Sequence, residues 1–260
     1  MSSANEINPG LPDSPIPAAD SAEAHFLRQA STSHSIALME ESATLGADEL
    51  ESQRLIHRGN PIRKYTDIFR EIRTRLLEST GARNFITLVV SASPGSGASF
   101  VARNLAAAFA LDEAKTSLLV DCNLRHPAQH IALGVDLVNG GLSDFLDHPS
   151  MGLASVLYQT GIKRLRLLPA GNARENRSEY FTSFRMRGVL DSLRSRYPDR
   201  YILLDGPTIK GSPDARILSD LADYVLIVAG YGRDTPKAIS QAVANFDPAK
   251  LAGVVFNHAP

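Results

Sequence analysis

The chain of 260 residues has a single cysteine, Cys122, which excludes an internal disulfide framework and fits a reducing compartment. Charge of one sign is also lacking. Lys and Arg total 27 against 28 Asp and Glu, a net charge of −1, so neither nucleic acid nor an anionic bilayer has a bulk field to follow. Long apolar runs are missing: the longest, such as YVLIVAG at 224–230, are far too short to span a bilayer. The N-terminal MSSANEINPGLPDSP lacks the basic start and apolar segment of a secretory signal. These absences lead to the expectation of a cytoplasmic protein. What is present, 43% hydrophobic and 21% charged residues, is the composition of an ordinary globular protein, long enough for one large α/β domain and extensions.

The first part of the chain differs from the rest. Up to residue 54 there are nine Asp or Glu against two Arg, with abundant Ser, Ala and Pro and little apolar periodicity. Such a stretch buries too little surface to offset its ordering entropy. Residues 1–60 are therefore expected to form a disordered or loosely ordered extension, in which Ala24–Ala30 or Ile36–Glu41 is a candidate docking peptide. The folded domain is expected to run from 61 to 260.

From residue 62 a helical period sets in, with Ile62, Tyr65, Phe69, Ile72, Leu76 and Leu77 on one apolar stripe. After Gly81 the pattern changes to short apolar runs suited to strands buried on both faces: FITLVV, SLLVD, LRLLPAG, YILLD, YVLIVA and AGVVFN. Helical patterns fall between most of them. Strands alternating with helices predict a doubly wound, mostly parallel α/β sheet flanked by helices.

Ligands of open parallel sheets sit beyond the carboxyl ends of the strands, and three such ends carry polar signals. SASPGSGAS (91–99) approximates the phosphate-binding pattern G-x-x-x-x-G-K-[ST], with Ala92 in the first position, Gly97 and Ser99 in place, and Ala98 where the lysine belongs. Its backbone, Pro94, Gly95, Ser96, Gly97, Ala98, Ser99 and Phe100, is the candidate nucleotide cradle. VDCNLRHP (120–127) closes a strand with Asp121, and LLDGPT (203–208) closes another with Asp205. Acidic groups at neighbouring strand ends suit Mg²⁺ held partly through water.

These three loops together resemble the Walker A box, second acidic box and Walker B box of the bacterial tyrosine kinases, the cytoplasmic P-loop domains that work with polysaccharide chain-length regulators. The resemblance runs from about residue 61 to 260. It includes GGLSDFL at 140–146, LPAGNARENRSEY at 168–180, PDARIL at 213–218 and GVVFNHAP at the end. DIFREIR (67–73) resembles the family's ring-assembly helix, with Asp67, Arg70 and Arg73 as the oligomerisation residues. The resemblance implies Mg-ATP or Mg-ADP as ligand, Ser99 and Asp205 as the metal side, and Asp121 as the base if the chain is active. It also implies a membrane polysaccharide co-polymerase as partner, a homo-oligomer or hetero-assembly, and a cytoplasmic position, peripheral at the inner membrane through that partner.

Against that pattern the chain has lost chemistry. Ala98 replaces the lysine that pairs with the β- and γ-phosphates, Asn123 replaces the second acid of D-x-D, and Phe100 is expected to crowd the phosphate side. The sequence stops at Pro260 without the tyrosine cluster that autophosphorylating members carry. The reading is a degenerate partner of a chain-length regulator. The alternatives are an active tyrosine autokinase, and a relative of the ATPases that position plasmids and division sites, disfavoured by Ser93 at their signature-lysine position. Arg103, four residues past Ser99, is expected to face solvent rather than replace the lost charge. His126 and His130 stand at a metal-ligand spacing without a completed set, and Cys122 reads as a small buried residue.

Overall fold

The apolar run after residue 84 forms strand β1 (Ile86–Ser91), all of it buried. The computed structural model describes residues 44–59, 63–79, 83–172, 178–210 and 213–258. The other strands are β2 (Thr116–Asp121), β3 (Tyr158–Gln159), β4 (Leu165–Leu168), β5 (Arg200–Asp205), β6 (Tyr224–Gly230) and β7 (Leu251–Asn257). They form one seven-stranded sheet in the order β3-β4-β2-β5-β1-β6-β7. Every pairing is parallel except β3 with β4. β1 lies between β5 and β6, the point where the strand order reverses, so the loop that follows it opens into the crevice used by ligands of this architecture.

Alternation along the strands supplies two cores. Ile86, Leu88 and Val90 of β1 join Ile202 and Leu204 of β5 on one face, together with Met186, Val189, Leu190 and Leu193 of helix α7 (Phe184–Arg196). Val89, Tyr201 and Leu203 face the other way, beneath helix α3 (Ala98–Ala110). Nearly all of α3 is buried, because it lies between the sheet and helix α2 (Arg63–Glu78); its alanines allow close approach on both sides. Phe109 stacks on Tyr201 at 4.6 Å and Phe69 of α2 meets Phe100 edge-on at 6.1 Å.

The carboxyl end of α3 carries three arginines. Arg73 Nη1 donates to Ala108 O at 2.7 Å, Arg164 Nη2 to Ala110 O at 2.9 Å, and Arg58 Nη2 to Leu111 O at 2.9 Å. Cations there satisfy carbonyls that lack helical partners and complement the helix dipole.

Two expectations need correction. The expected boundary at residue 61 is too late. Helix α1 (Ala47–Ser52) is followed by Leu55 and Ile56, which are buried in the α3 face of the core. Asn104 explains the docking. Its Oδ1 accepts from Ile56 N at 2.9 Å and its Nδ2 donates to Arg54 O at 3.1 Å, so the segment's backbone is paired by a buried amide. The candidate docking peptides lie outside the described residues. The apolar stripe of α2 holds for Phe69, Ile72, Leu76 and Leu77, which pack on the α3 core, but Tyr65 is exposed and Thr66 is buried instead; Ile62 lies outside the described residues. The shorter helices are α4 (Gln129–Ala132), α5 (Leu142–Asp147), α6 (Ser178–Thr182), α8 (Asp214–Leu221) and α9 (Pro236–Val243).

Candidate phosphate-binding site

The loop between β1 and α3 has the conformation its glycines permit. Gly95 and Gly97 take positive φ values of 80° and 90°, and Gly97 caps α3. A Cβ at Gly97 would run into the Asn257 amide, whose Nδ2 donates to Ser96 O at 3.0 Å. Ala98 N donates to Ser91 Oγ at 3.3 Å. The amides of the first turn of α3 have no helical acceptor, and they point where the dipole favours an anion. Pro94 through Phe100 thus lie together at a strand–helix junction. Phe100 is a correction: its ring packs on Phe69 toward α2 and does not crowd the loop.

Asp121 and Asp205 are register partners on the parallel strands β2 and β5, so both carboxyls are delivered to the same strand end. Both are fully buried. Asp121 is committed to backbone: Oδ1 accepts from Asn123 N at 3.1 Å, and Oδ2 accepts from Ala128 N and Gln129 N, each at 3.1 Å. Burial raises its pKa above the ordinary carboxylate value despite those hydrogen bonds. Asp205 is pushed up to about 7, by burial first and then by the neighbouring Asp121, with hydrogen bonds from Gln129 and Ser99 opposing. Its Oδ1 is buried without a hydrogen-bond partner among the described residues.

Gln129 is the site residue that the sequence did not reveal. Nothing in HPAQH marks it, since a glutamine at the start of a short helix has no motif value. Its Nε2 donates to Asp205 Oδ2 at 2.6 Å and to Ser99 O at 3.0 Å, and its Oε1 accepts from Arg103 Nη1 at 3.3 Å. Arg103 is therefore not the solvent-facing residue expected. Its guanidinium is buried beside the acids, and desolvation lowers its pKa, with Asp205 opposing. The cause is position: four residues after Ser99, its side chain leans back toward the helix start and reaches Gln129.

The loop after β6 closes on the glycine loop from the other side. Asp234 Oδ2 accepts from Ser96 Oγ at 2.7 Å and from Gly230 N at 2.6 Å. Arg233 Nη1 donates to Gly95 O at 2.9 Å and Nη2 to Pro94 O at 3.5 Å. In the second acidic box, Arg125 pairs with Asp214 at 3.8 Å.

The three oligomerisation residues do not behave alike. Asp67 and Arg70 are exposed and lie 3.8 Å apart, next to exposed Tyr65 and Ile68. Arg73 turns inward to cap α3. Cys122 is fully buried, and its thiol pKa is raised well above the ordinary value by burial and by Asp121 and Asp205. Among the described residues, no cluster of three or more His, Cys, Asp or Glu side chains is placed to hold a metal ion, so His126 and His130 gain no further ligands of those types. Among them too, no helix is long and apolar enough to cross a membrane.

No family model matches the chain. It is 32% identical over 215 residues to the tyrosine-protein kinase Wzc of Salmonella typhimurium strain LT2, a match covering 82% of this chain and 29% of that protein. It is 30% identical over 192 residues to the tyrosine-protein kinase YwqD of Bacillus subtilis strain 168, covering 73% of this chain and 79% of the relative. The chimerical protein CapA2B2 superimposes with a TM-score of 0.71 at 26% identity, over 84% of this chain and 92% of that one. The chain thus spans under a third of the length of the Salmonella relative but most of the Bacillus one. With the glycine loop, both acidic strand ends and the parallel sheet in the places described, the chain belongs to the bacterial tyrosine-protein kinase family.

Proposed function

We propose that this chain is a degenerate member of its family, a non-catalytic partner of a membrane chain-length regulator in the synthesis and export of a bacterial exopolysaccharide or capsule. The observation that carries this reading is a loop complete in shape and deficient in charge: Gly95 and Gly97 set the cradle, while the lysine position is the buried methyl of Ala98. A second observation agrees. Asp121, the base that the resemblance assigns to an active member, is buried and accepts from three backbone N–H groups. Removing one preorganised donor from developing charge costs on the order of 10²–10³ in rate.

Loss of phosphoryl transfer does not entail loss of the ligand. The amides of Gly95, Gly97, Ser99 and Phe100 fit a phosphate chain, while those of Ser96 and Ala98 donate to Ser93 O and Ser91 Oγ. The Ser99 hydroxyl and the buried Asp205, whose Oδ1 lacks a hydrogen-bond partner among the described residues, fit the ligand side of Mg²⁺. When bound, Mg²⁺ neutralises phosphate charge; the protein's own part is to orient the chain through backbone donors. A hydrogen bond to a charged group contributes roughly 1.5–3 kcal/mol, so the missing lysine weakens nucleotide binding by roughly 10- to 150-fold. In this reading the protein is cytoplasmic and held at the inner membrane by its partner, and it assembles through the exposed strip around Asp67 and Arg70.

The second reading, an active autokinase, is favoured by Asp205 Oδ1, which is buried without a hydrogen-bond partner among the described residues and so is open to a metal ligand. Deleting the gene and reintroducing the chain with Ser99→Ala separates the two readings. Polymer yield and length restored by the variant support the assembly partner. Restoration by the unmodified chain alone supports the kinase.

A further inference from the structure

We propose that Arg233, from the loop after β6, is the cation that meets the phosphates of a nucleoside di- or triphosphate at this site, in place of the lysine that the loop lacks. The inference rests on reading the glycine loop as a phosphate cradle; it does not depend on the assembly-partner role.

The charge around the loop leaves a gap that Arg233 is placed to fill. Ala98 contributes none, and Asp121 and Asp205 are acidic. The Arg103 guanidinium is buried, donates to Gln129 and is engaged by the Asp205 charge. Arg125 is paired with Asp214. A phosphate chain entering this cradle adds further negative charge to a site already holding two carboxyls. Backbone dipoles alone are a weak counterweight to it.

Arg233 already touches the cradle. Its Nη1 and Nη2 reach the carbonyls of Gly95 and Pro94, and a Cβ added to Gly95 would lie 3.1 Å from Nη2. The guanidinium is therefore laid along the bare face of a cradle residue, where a larger residue than glycine would displace it. Its backbone is held in place as well. Asp234, the next residue, ties Gly230 at the end of β6 to Ser96 in the glycine loop. Burial works against ionisation of Asp234, but hydrogen bonds from Ser93, Gly230 and Ser96, with the nearby Arg233 charge, hold its carboxyl below the ordinary value, so this anchor stays charged at neutral pH.

A guanidinium has five N–H donors in a fixed fork, and two are used on the loop carbonyls. The remaining donors suit phosphate oxygens. Because Arg233 stands at the Pro94–Gly95 rim and not at Ala98, its contribution grows with the length of the phosphate chain. The site then distinguishes ATP and ADP from AMP.

The test is calorimetric titration of the full chain with AMP, ADP, a non-hydrolysable ATP analogue and inorganic tripolyphosphate, with Mg²⁺ present. Arg233→Ala is expected to weaken the ATP analogue and tripolyphosphate about 10- to 100-fold, and to leave the affinity for AMP nearly unchanged. Arg233→Gln keeps an amide donor for the Gly95 carbonyl but removes the charge, and is expected to behave like the alanine variant; Arg233→Lys is expected to recover part of the affinity. Affinities unchanged in Arg233→Ala, or fully restored by Arg233→Gln, would overturn the proposal and leave the loop a phosphate site. No binding of any probe to the unmodified chain would overturn both the proposal and the cradle reading, with the assembly role untouched.

Discussion

The amide nitrogen of Gln129 stands 2.6 Å from Oδ2 of Asp205, and the same nitrogen donates to the carbonyl of Ser99. One uncharged side chain thus ties the Asp205 carboxyl to the backbone of Ser99, the residue whose hydroxyl would share a metal ion with it, and Arg103 holds its other end. Replacing Gln129 by Leu would leave a buried carboxylate and a carbonyl without their donor. Such orphaned groups cost about 1–3 kcal/mol. Urea denaturation of Gln129→Leu is expected to show that loss, and Gln129→Glu a comparable or larger one, since it adds a third acid to the cluster. Unchanged midpoints would mean the contact contributes nothing.

Asp205 gives the protein a pH dependence of definite sign. Its folded-state pKa of about 7 lies above the unfolded value near 4, so between those limits the native state holds the extra proton. Stability therefore falls as pH rises from about 4 to about 7, and Asp121, also raised by burial, adds in the same direction. Asp205→Asn keeps an acceptor for Gln129 and removes the charge. It is expected to stabilise the protein by about 2–4 kcal/mol at pH 8, with little effect at pH 4. Chemical denaturation at both pH values measures it, and an equal effect at the two would contradict the assignment.

Asn104 holds the segment 54–56 against α3 through buried hydrogen bonds. Asn104→Leu is expected to release that segment without unfolding the sheet, at a cost of about 1–3 kcal/mol. Limited proteolysis should then cut within 47–58, where the unmodified chain resists. Equal resistance in both would show that Leu55 and Ile56 alone hold the segment.

Arg70 and Arg73 separate two roles that the spacing D-x-x-R-x-x-R joins. The exposed Arg70–Asp67 pair contributes at most about 0.5 kcal/mol to folding, so Arg70→Ala is expected to change assembly size in analytical ultracentrifugation and leave stability alone. Arg73→Ala removes a charged cap from Ala108 and is expected to cost about 1 kcal/mol. A sedimentation profile unchanged by Arg70→Ala in an oligomeric sample would remove Asp67 and Arg70 from the interface.

These residues also show what was legible in the sequence. The alternation of strands and helices and the three polar strand ends were readable, because two-sided burial and glycine conformations leave local marks. Partners that meet only through the fold were not. Arg73 and Arg103 look alike in sequence to any surface arginine, yet one caps a helix 35 residues away and the other ends beside Asp205. Asp121 and Asp205 are 84 residues apart and meet by strand register. Which way the Phe100 ring turns depends on how α2 packs against α3, which no local pattern records. The segment 47–58 is polar in composition, yet its docking depends on two apolar residues and one amide of α3, a pairing that only the fold brings together.

The central claim is that the loop keeps its shape and has lost phosphoryl transfer. The most direct measurement is incubation of the purified chain with radiolabelled ATP and Mg²⁺, with a tyrosine-containing polypeptide supplied, beside the Ala98→Lys, Asn123→Asp variant. If each change costs roughly 2–4 kcal/mol of transition-state stabilisation, the pair costs on the order of 10³–10⁶ in rate, with the lower figure favoured because neighbouring changes seldom add fully. The account predicts no phosphotyrosine above background from the unmodified chain and transfer that appears in the double variant. Robust phosphotyrosine formed by the unmodified chain would contradict it.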